Sequence, residues 1–320
     1  MKLISFVIPC YGSEKTINKV IDEINRVIEH NKEYEYEVIA VNDSSPDNVL
    51  KVLKELAKQD RRVKILNLSK NMNRPGAVMA GLNYAKGDYV AVMDDDGQCP
   101  MDKFWLLFDP IKRGHDVAIA EYPERKQSFF KDFGTFVNRK MTEFVINKPK
   151  EMQFTNFMVM KSYIVKEIIK YDNPYPYFTG LLLRTTNDIV NVKLEERERF
   201  SGKTTFTFFK MLGMWVNGLT AFSIKPLRVS SLIGVLCALI GFIFGIITVI
   251  RKITVTSISV GWSSIVAILL FVGGLIMLML GMIGEYIGRI YISLNKSPQY
   301  VIKETYNIDE ECDVSKKHFK

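Results

Sequence analysis

Carboxylates follow two of the short apolar segments in the first hundred residues. The acidic triplet Asp94-Asp95-Asp96 follows the segment 89–93, and Asp43 follows the segment 38–41. Adjacent carboxylates repel one another, so such a cluster is either a solvated acidic turn or the ligand set of a cation. Mg²⁺ and Mn²⁺ prefer oxygen ligands and keep coordination positions open for substrate phosphate. Because residues i and i+2 of an extended chain point the same way, we predict that Asp94 and Asp96 bind one such ion.

A sheet must bring these carboxylates together. Apolar segments typical of strands alternate with segments of helical periodicity along the first 120 residues. We predict strands at 3–8, 38–41, 63–68, 89–93 and 116–120, and helices at 17–28, 47–58, 75–85 and 101–113. This alternation favours an α/β fold with a mainly parallel sheet, in which ligands bind beyond the carboxyl ends of the strands. Asp43 and the acidic triplet are then expected at one edge of the sheet.

Several other kinds of site are absent from the sequence. No G-x-G-x-x-G follows the first predicted strand and no G-x-x-x-x-G-K-[ST] occurs, which excludes a dinucleotide fingerprint and a P-loop. The four cysteines form no C-x-x-C, so neither a disulfide framework nor a zinc ribbon is indicated. The three histidines are far apart, which argues against a histidine-rich metal site.

Two long uncharged segments lie in the last third of the chain. Residues 229–250 and 260–284 carry no charged side chain. A helix needs about 20 apolar residues to cross a bilayer. The sequence therefore predicts a transmembrane hairpin at 229–284, with Arg251 and Lys252 at the start of its polar connector. A hairpin leaves the chain before it and the chain after it on the same side of the membrane.

Positive charge predicts the orientation of this hairpin. The basic residues that flank it on the side away from the connector are Lys210, Lys225, Arg228, Arg289, Lys296 and Lys303. The positive-inside rule then predicts a multi-pass protein of the cell inner (plasma) membrane, with the part before the hairpin in the cytoplasm. The segment 3–8 is too short for a signal peptide. A net charge of +8 fits an anionic bilayer surface, and two predicted spans argue against a nucleic-acid partner.

Three motifs resemble those of a known enzyme family. They read V-I-P-C-Y-G-S-E at 7–14, V-N-D-S-S-P-D at 41–47 and M-D-D-D-G-Q-C-P at 93–100. They look like the successive motifs of family 2 glycosyltransferases with the Rossmann-like GT-A fold. Over residues 3–295 the chain resembles, more narrowly, the polyprenyl-phosphate glycosyltransferases of the dolichol-phosphate mannose synthase and bacterial GtrB type.

The resemblance implies a division of the chain into four parts. These are a cytoplasmic GT-A domain at 1–200, interfacial amphipathic helices at 201–228, the hairpin at 229–284 and a cytoplasmic tail at 285–320. We expect the tail to be exposed and partly disordered, because its lysines are interspersed with acidic residues. Glycines in the hairpin are compatible with a homo-oligomer.

The resemblance also implies a nucleotide-sugar site. Asp43 would bind the base, and Mg²⁺ or Mn²⁺ would be held by Asp94, Asp96 and Gln98. The full set implied for the nucleotide sugar is Pro9, Tyr11, Glu14, Asp43, Asn71, Arg74, Asp94 and Asp95. Structural roles remain open for Pro9 as a strand end, Tyr11 as a packed ring and Glu14 at a helix start. Segments 153–160 and 173–184 are expected to shape the sugar pocket.

A basic segment before the hairpin is the candidate acceptor site. Residues 203–217 place a narrow polar stripe among aromatic side chains, which predicts a helix in the membrane interface or one packed on the catalytic domain. A lipid phosphate needs cations at headgroup depth. Candidate ligands are Arg125, Lys131, Arg197, Arg199 and Lys203, with Arg199 counted as catalytic beside Asp94 and Asp96. Where the family pattern is R-x-x-G-x-S-K-Y, this chain has Thr205 and Phe206 in place of lysine and tyrosine.

These parts together predict a reaction. It is the inverting, metal-dependent transfer of a hexose or aminosugar from a nucleotide sugar to polyprenyl phosphate for cell-envelope glycan modification. The donor is expected to be a UDP-sugar rather than a GDP-sugar, and the acceptor undecaprenyl phosphate. A hydroxyl acceptor is the first alternative and needs a carboxylate base, for which Asp188 is the candidate. The second alternative is an inactive nucleotide-sugar-binding membrane subunit, against which the intact triplet argues.

Overall fold

The protein forms two compact units. The computed structural model describes residues 1–123, 149, 152–174, 176–195, 197, 200, 225–254, 261–295 and 297–308. One unit, the head, consists of Met1–Thr207 together with Lys296–Lys320. The other, the hairpin unit, is Phe208–Asn295.

The head contains an eight-stranded mixed sheet. Its strands are β1 Lys2–Cys10, β2 Tyr34–Asn42, β3 Val63–Leu68, β4 Tyr89–Val92, β5 Val117–Glu121, β6 Met158–Lys161, β7 Ile189–Lys193 and β8 Ile302–Tyr306. Their order across the sheet is β7-β5-β6-β4-β1-β2-β3-β8. The four strands β1 to β4 are parallel, as predicted, whereas β6 and β8 run antiparallel to their neighbours. All five predicted strands are confirmed within a few residues.

Helices connect the strands of the head. They are α1 Ile17–Glu29, α2 Val49–Gln59, α3 Asn73–Tyr84, α4 Phe104–Lys112, α5 Ser162–Ile168 and α6 Phe178–Thr185. The prediction of one helix at 101–113 needs a correction, because a 3₁₀ turn at Met101–Lys103 precedes α4. The other three predicted helices are confirmed.

Apolar side chains cover both faces of the sheet. On one face the Phe6 ring of β1 lies 5.2 Å from the Phe104 ring of α4, and both side chains are fully buried. Burying a side chain of this size stabilises the fold by about 2 kcal/mol. On the other face α3 approaches closely because Gly81 has no side chain: a Cβ there would overlap Val7 and lie 3.1 Å from Val41. The close approach of α3 places its first turn over the carboxyl edge.

The strand order reverses beside β1. The chain crosses from β1 to β2 and β3 on one side, and β4 joins β1 on the other side. In α/β sheets this reversal opens a crevice beyond the carboxyl ends of the two central strands. Here the crevice lies where Cys10 ends β1 and where the acidic triplet follows β4.

The C-terminal segment, residues 297–308, corrects the expectation of an exposed tail. Its strand β8 pairs antiparallel with β3 at the edge of the sheet. Gln299 is 7% exposed, so the segment contributes a buried side chain to the head. The correction has a physical reason, since β3 would otherwise be an unpaired edge strand.

The described residues of the hairpin unit form two long helices, α7 Lys225–Thr254 and α8 Trp262–Leu294. Helix α7 contains the predicted span 229–250, and α8 begins two residues after the start of the predicted span 260–284. By length and composition, Phe271–Leu294 is apolar enough to cross a membrane, with a mean hydropathy of 1.7, and Ser230–Ile243 is a shorter apolar stretch. The helices touch where a Cβ at Gly234 would lie 2.9 Å from Met279 Cε. Two membrane spans stay a prediction, and residues 201–224 of the predicted interfacial helices lie outside the described residues.

Candidate active site

Asp43 occupies a buried position directly after β2. Its residue is 3% exposed, and its backbone N–H donates to the Cys10 carbonyl at 3.1 Å. Asp43 Oδ1 accepts a hydrogen bond from the Met72 amide at 2.6 Å, and the Asn73 amide also donates to this carboxylate. Burial raises the pKa of Asp43 to about 6, and the two amides oppose that rise. Asp43 is therefore an acceptor that is ionised at neutral pH and held by the start of α3.

Asp94 is the first carboxylate of the acidic triplet and is ion-paired. Asp94 Oδ1 accepts from Arg74 Nε at 2.7 Å, and Asp94 Oδ2 accepts from Asn156 Nδ2 at 2.6 Å. Arg74 lies two residues after Met72, which binds Asp43. The short segment Met72–Arg74 thus contacts both Asp43 and Asp94 and joins the carboxyl end of β2 to that of β4.

The other two carboxylates of the triplet have different partners. Asp95 Oδ2 accepts from the Tyr11 amide at 3.0 Å, which links the ends of β1 and β4. Burial raises the pKa of Asp95 to about 6, while the hydrogen bond from the Tyr11 amide opposes this rise. Asp96 Oδ1 accepts from the Gln98 amide at 3.1 Å. Asp95 therefore has a structural role in closing the crevice, and Asp94 and Asp96 remain the carboxylates suited to a cation.

The loops after β1 and β2 are bonded to each other. The Gly12 amide donates to Ser45 Oγ at 2.8 Å, and the Glu14 amide donates to Asp47 Oδ2 at 2.9 Å. Glu14 Oε2 in turn accepts from the Asn48 amide at 3.2 Å, at the start of α2. The carboxylate of Glu14 is thus engaged at the start of α2, and not at the start of α1, the helix that follows it in the sequence.

Three further residues of the predicted nucleotide site lie at the same edge. Pro9 is buried within β1, whose last residue is Cys10. The Tyr11 residue is 55% exposed, so its ring is available to stack on a base. Asn71 is exposed, and its Oδ1 accepts from the Asn73 amide at 3.0 Å. The structure brings all the predicted nucleotide-site residues to the carboxyl edge of β1 to β4.

A segment after β7 lies along the acidic triplet. The Phe200 amide donates to the Asp96 carbonyl at 3.0 Å, and the Arg197 amide donates to the Gln98 carbonyl at 3.3 Å. The Phe200 ring covers Gly97, whose φ is +80°, so closely that a Cβ on this glycine would overlap the ring. Glycine is therefore required at this position both for its backbone conformation and for its lack of a side chain.

Arg197 is engaged within the head, which corrects its place among the candidate phosphate ligands. Its guanidinium pairs with Glu23 at 3.0 Å and also with Asp102. A guanidinium held by two carboxylates has a structural role within the head. The other predicted acceptor ligands, Arg125, Lys131, Arg199 and Lys203, lie outside the described residues.

Asp188 lies at the wrong edge of the sheet for a base in this site. It directly precedes β7, and its backbone carbonyl accepts from the Val117 amide where β5 begins. Because β5 and β7 are parallel, Asp188 is at their amino ends. Its carboxylate contacts His115 at 2.6 Å. The sequence-based candidate for a hydroxyl-activating base is therefore remote from the acidic triplet.

The carboxylates at the crevice fit a cation that is completed by substrate. In the described parts of the chain, no group of three or more Asp, Glu, His or Cys side chains is arranged to hold a metal ion alone. Mg²⁺ commonly takes one or two carboxylates and fills its remaining positions with water and substrate phosphate. Asp94 and Asp96 supply that number of carboxylates. The donor set thus suits a metal that binds together with a diphosphate.

One contributor to this site was not predicted from the sequence. Asn156, which donates to Asp94, belongs to the segment 153–160 that was expected to shape the sugar pocket. The only signal for it in the sequence is that it lies in this segment, just before β6. The contact itself joins residues 62 positions apart and is visible only in the fold.

Comparison with known proteins identifies the family. Residues 5–169, which include Asp43, Arg74 and the acidic triplet, match the family "Glycosyl transferase family 2". The chain belongs to glycosyltransferase family 2. Residues 225–290 match the "GtrB C-terminal hairpin". The resemblance seen in the three motifs is thereby confirmed, and the protein is a glycosyltransferase.

Relatives match nearly the whole chain of this family 2 enzyme. It is 32% identical to the uncharacterized glycosyltransferase YkcC of Bacillus subtilis, over 95% of this chain and 94% of that protein. It is 30% identical to the prophage bactoprenol glucosyl transferase homolog of Escherichia coli, over 94% of this chain and 98% of that protein.

A solved structure shares the fold of the family 2 domain. Glucosyl-3-phosphoglycerate synthase from Mycobacterium tuberculosis, in complex with Mn²⁺, UDP-glucose and phosphoglyceric acid, aligns with a TM-score of 0.51 and 17% sequence identity. The alignment covers 67% of this chain and 76% of that one. This likeness supports a GT-A-like mixed α/β fold for the head.

Proposed function

We propose that this enzyme transfers a sugar from a UDP-sugar to a polyprenyl phosphate, with inversion at the anomeric carbon. The proposed acceptor is undecaprenyl phosphate at the cytoplasmic face of the inner membrane. Two comparisons support the acceptor: the match to the GtrB C-terminal hairpin and the relative whose name is bactoprenol glucosyl transferase homolog. The solved neighbour that contains UDP-glucose supports the donor.

One structural observation carries the proposal. Met72 donates its amide to Asp43 at 2.6 Å, and Arg74 pairs with Asp94 at 2.7 Å. The segment Met72–Arg74 thus contacts both carboxylates. Buried Asp43 is suited to the base of a nucleotide, and ion-paired Asp94 is suited to its diphosphate. The nucleoside diphosphate part of a nucleotide sugar has the base at one end and the diphosphate at the other, with the ribose between them.

Each of these residues has a distinct part in binding the donor. Ionised Asp43 accepts a hydrogen bond from an N–H group of the base, and the exposed Tyr11 ring packs against its face. Arg74 places its guanidinium next to the diphosphate, where planar N–H donors match phosphate oxygens. The start of α3 adds the positive end of a helix.

The bond changes in the proposed reaction are simple. An ionised phosphate oxygen of the lipid attacks the anomeric carbon, and the bond from that carbon to the diphosphate oxygen breaks on the opposite face. The electron pair leaves with the nucleoside diphosphate. The lipid phosphate is already ionised near neutral pH, so no general base has to remove a proton. Arg74 stabilises the negative charge that develops on the leaving group.

A divalent cation fits beside Arg74. Asp94 and Asp96 would hold Mg²⁺ or Mn²⁺, with Gln98 as a further oxygen donor, and the ion supplies positive charge to the leaving diphosphate. Asp94 is paired with Arg74 and Asn156 in this structure. Those two partners hold its carboxylate in place before the donor binds.

Release of the nucleoside diphosphate, measured with and without lipid, tests the proposal. The full chain in detergent is mixed with undecaprenyl phosphate, Mg²⁺ or Mn²⁺, and a panel of UDP- and GDP-sugars. We expect nucleoside diphosphate release that requires lipid and metal and yields a lipid-phosphate sugar of the correct mass. Asp96→Asn should abolish this release, and Asp188→Asn should leave it unchanged.

The same assay, repeated with a hydroxyl-bearing lipid as acceptor, separates the alternatives. Transfer to a hydroxyl-bearing lipid that is lost in Asp188→Asn supports a hydroxyl acceptor and contradicts the proposal. Release without lipid contradicts a polyprenyl phosphate acceptor. Nucleotide binding with no transfer to any acceptor supports the binding-only subunit.

A further inference from the structure

The C-terminal segment 297–308 lies against the loops that hold Asp43. Its Val301 carbonyl accepts from the Ser69 amide at 2.8 Å, directly after β3. Residues 69–72 then connect Ser69 to the amide that binds Asp43. A segment that follows the second long apolar helix in the sequence is therefore built into the edge of the donor site.

A chain of side-chain hydrogen bonds runs from this segment to the loop after β2. Glu304 Oε1 accepts from Asn67 Nδ2 at 2.7 Å, and Asn67 Oδ1 accepts from Asn42 Nδ2 at 2.7 Å. Asn42 Oδ1 in turn accepts from the Ser45 amide at 3.3 Å. The chain thus starts on β8, crosses β3 and β2, and ends two residues beyond Asp43.

The Glu304 carboxylate fixes the donor-to-acceptor direction of this chain of hydrogen bonds. An ionised carboxylate only accepts hydrogen bonds, so it fixes which end of the Asn67 amide group points toward it. That choice presents the Asn67 oxygen to Asn42 and leaves the Asn42 oxygen for the Ser45 amide. Asn42 and Asn67 are buried, at 3% and 5% exposure, so water does not readily replace these partners.

Glu304 is itself held in position. Lys54 Nζ lies 3.3 Å from its carboxylate, and the Tyr306 hydroxyl donates to Glu304 Oε2 at 2.7 Å. These contacts lower the pKa of Glu304, with the Tyr306 hydrogen bond as the largest cause. The acceptor that sets the direction of the chain is therefore ionised at neutral pH.

A second contact ties the same segment to the other side of the site. Gln299 Nε2 donates to the carbonyls of Asn173 at 2.9 Å and Tyr171 at 3.3 Å. The Gln299 carbonyl oxygen lies 3.4 Å from the place that a Cβ on Gly76 would occupy, in the first turn of α3. Gln299 thus bridges α3 and the start of the segment 173–184.

We propose that Glu304 is a positioning residue for the nucleotide-sugar donor. It acts through Asn67 and Asn42 on the loop that carries Asp43 and Ser45. The inference rests on the proposed function, because it assigns the Asp43 pocket to the nucleotide. Its consequence is that a residue far along the sequence, in an edge strand that touches no substrate, sets donor affinity.

Variants at Glu304 test this role, because they differ in whether the new side chain can still accept a hydrogen bond from Asn67. Glu304→Gln keeps an oxygen acceptor for Asn67, whereas Glu304→Leu has none and leaves the Asn67 amide without its partner. Asn67→Ala breaks the chain in the middle and serves as a second, smaller change. Lys303→Ala is the matched control, since Lys303 is exposed on the same strand. All are made in the full chain in detergent.

Two readouts distinguish positioning from folding. The first is the Kd of UDP, and of GDP if UDP does not bind, by calorimetry. The second is the separation of KM for the UDP-sugar from kcat in lipid-dependent transfer. We expect Glu304→Leu and Asn67→Ala to raise Kd and donor KM about tenfold, the effect of one buried hydrogen bond, with kcat and the KM for lipid within about twofold. Glu304→Gln and Lys303→Ala should behave like the wild type.

The effects of the two disruptive variants should not add. Glu304 and Asn67 belong to one chain of hydrogen bonds, so the double variant should weaken binding no more than either single variant. An unchanged Kd in Glu304→Leu and Asn67→Ala overturns the proposal. So does an equal loss in Glu304→Gln and Glu304→Leu, or a lower Tm without a change in Kd.

The results that contradict the proposed function differ from those that overturn the role of Glu304. A wild-type chain that binds UDP but transfers no sugar to undecaprenyl phosphate contradicts the proposed acceptor, and the Kd comparison still decides the role of Glu304. A wild-type chain that binds neither UDP nor GDP contradicts both proposals.

Discussion

Arg74 Nε lies 2.7 Å from Asp94 Oδ1, at the point where α3 begins and the acidic triplet follows β4. The two side chains are 32% and 24% exposed, so the pair is neither fully solvated nor buried. An ion pair in such a position costs little to rearrange. Arg74 can therefore turn from the carboxylate to a diphosphate while Asn156 continues to hold Asp94.

Replacing Arg74 should weaken catalysis more than folding. Arg74→Ala removes a cation from the leaving group, and we expect kcat/KM to fall about 100-fold. Arg74→Lys keeps the charge but not the planar fork of donors, so it should recover only part of the loss. Initial rates of lipid-dependent nucleotide release measure both. The control is Arg113→Ala, which breaks an exposed ion pair with Asp109 on α4 and should change nothing.

Donor binding should depend on pH through Asp43. Burial raises its pKa to about 6, so its ionised form, which accepts from the base, is lost as the pH falls through that value. We expect the Kd of a UDP-sugar to rise below pH 6 and to be constant from about pH 7 upward. A nucleotide sugar is the right probe because its diphosphate has no terminal phosphate group that titrates in this range. Calorimetry across the pH series gives the profile.

Asp43→Asn provides the control for this profile. The amide keeps one oxygen that can accept from Met72 but has no proton to gain in this range. Its binding should be weaker at neutral pH and flat between pH 5 and about 7. A wild-type profile that Asp43→Asn retains would assign the titration to another group.

The same pKa shift has a consequence for folding. The pKa of Asp43 is higher in the folded chain than its ordinary value of 3.8, so the folded state binds the proton more tightly than the unfolded state does. Ionising Asp43 therefore costs stability. This contribution destabilises the head progressively as the pH rises from about 4 to about 6, and it is constant above that.

The carboxyl edge of the sheet was predictable because a parallel sheet has a simple rule. Strand–helix alternation predicts which residues end each strand, and those ends meet at one edge. Asp43 and the acidic triplet were found in this way, and the structure places both there. The partner of Asp95 was not predictable. The i, i+2 spacing separates Asp94 and Asp96 from Asp95, but the Tyr11 amide engages Asp95 only because β1 and β4 are neighbours.

The C-terminal strand illustrates the opposite case. The alternation in Ile302–Tyr306 is a short strand signal, but lysine and glutamate beside it are equally typical of a solvated tail. What makes it a strand is its pairing with β3, whose residues are more than two hundred positions away. The hydrogen bond between Lys54 and Glu304 spans 250 positions. No local pattern specifies such a contact.

A buried ion pair beneath the site should matter for stability rather than for catalysis. Glu37, whose side chain is 5% exposed, accepts from Lys64 Nζ and Ser5 Oγ, each at 2.5 Å. Glu37→Leu leaves Lys64 unpaired in a mostly buried position, and we expect it to destabilise the head by about 3 kcal/mol. Thermal unfolding of the full chain measures the loss as a lower Tm.

The matching control removes both charges. Glu37→Leu combined with Lys64→Met replaces the pair by apolar groups and should recover most of the lost stability. A double variant that is no more stable than Glu37→Leu would show that the loss comes from Ser5, from the Lys86 amide, which also donates to Glu37 Oε1 at 2.9 Å, or from packing.

Gly97 and Gly114 allow backbone strain to be separated from side-chain overlap. Both have a positive φ, +80° and +116°, but only Gly97 lies under another side chain, the ring of Phe200. Alanine at either position costs about 1 kcal/mol or more of stability through the backbone alone. At Gly97 the new methyl group must also displace Phe200, whose amide is bonded to the Asp96 carbonyl.

We therefore expect Gly97→Ala to lower lipid-dependent transfer at least about tenfold, since a small misplacement of a carboxylate near the reacting centre is enough. Gly114→Ala should lose stability with transfer unchanged, and adding Phe200→Ala to Gly97→Ala should restore part of the stability by removing the overlap. Equal losses of transfer in the two glycine variants would mean that strain alone, and not the contact with Phe200, explains the requirement for glycine beside the acidic triplet.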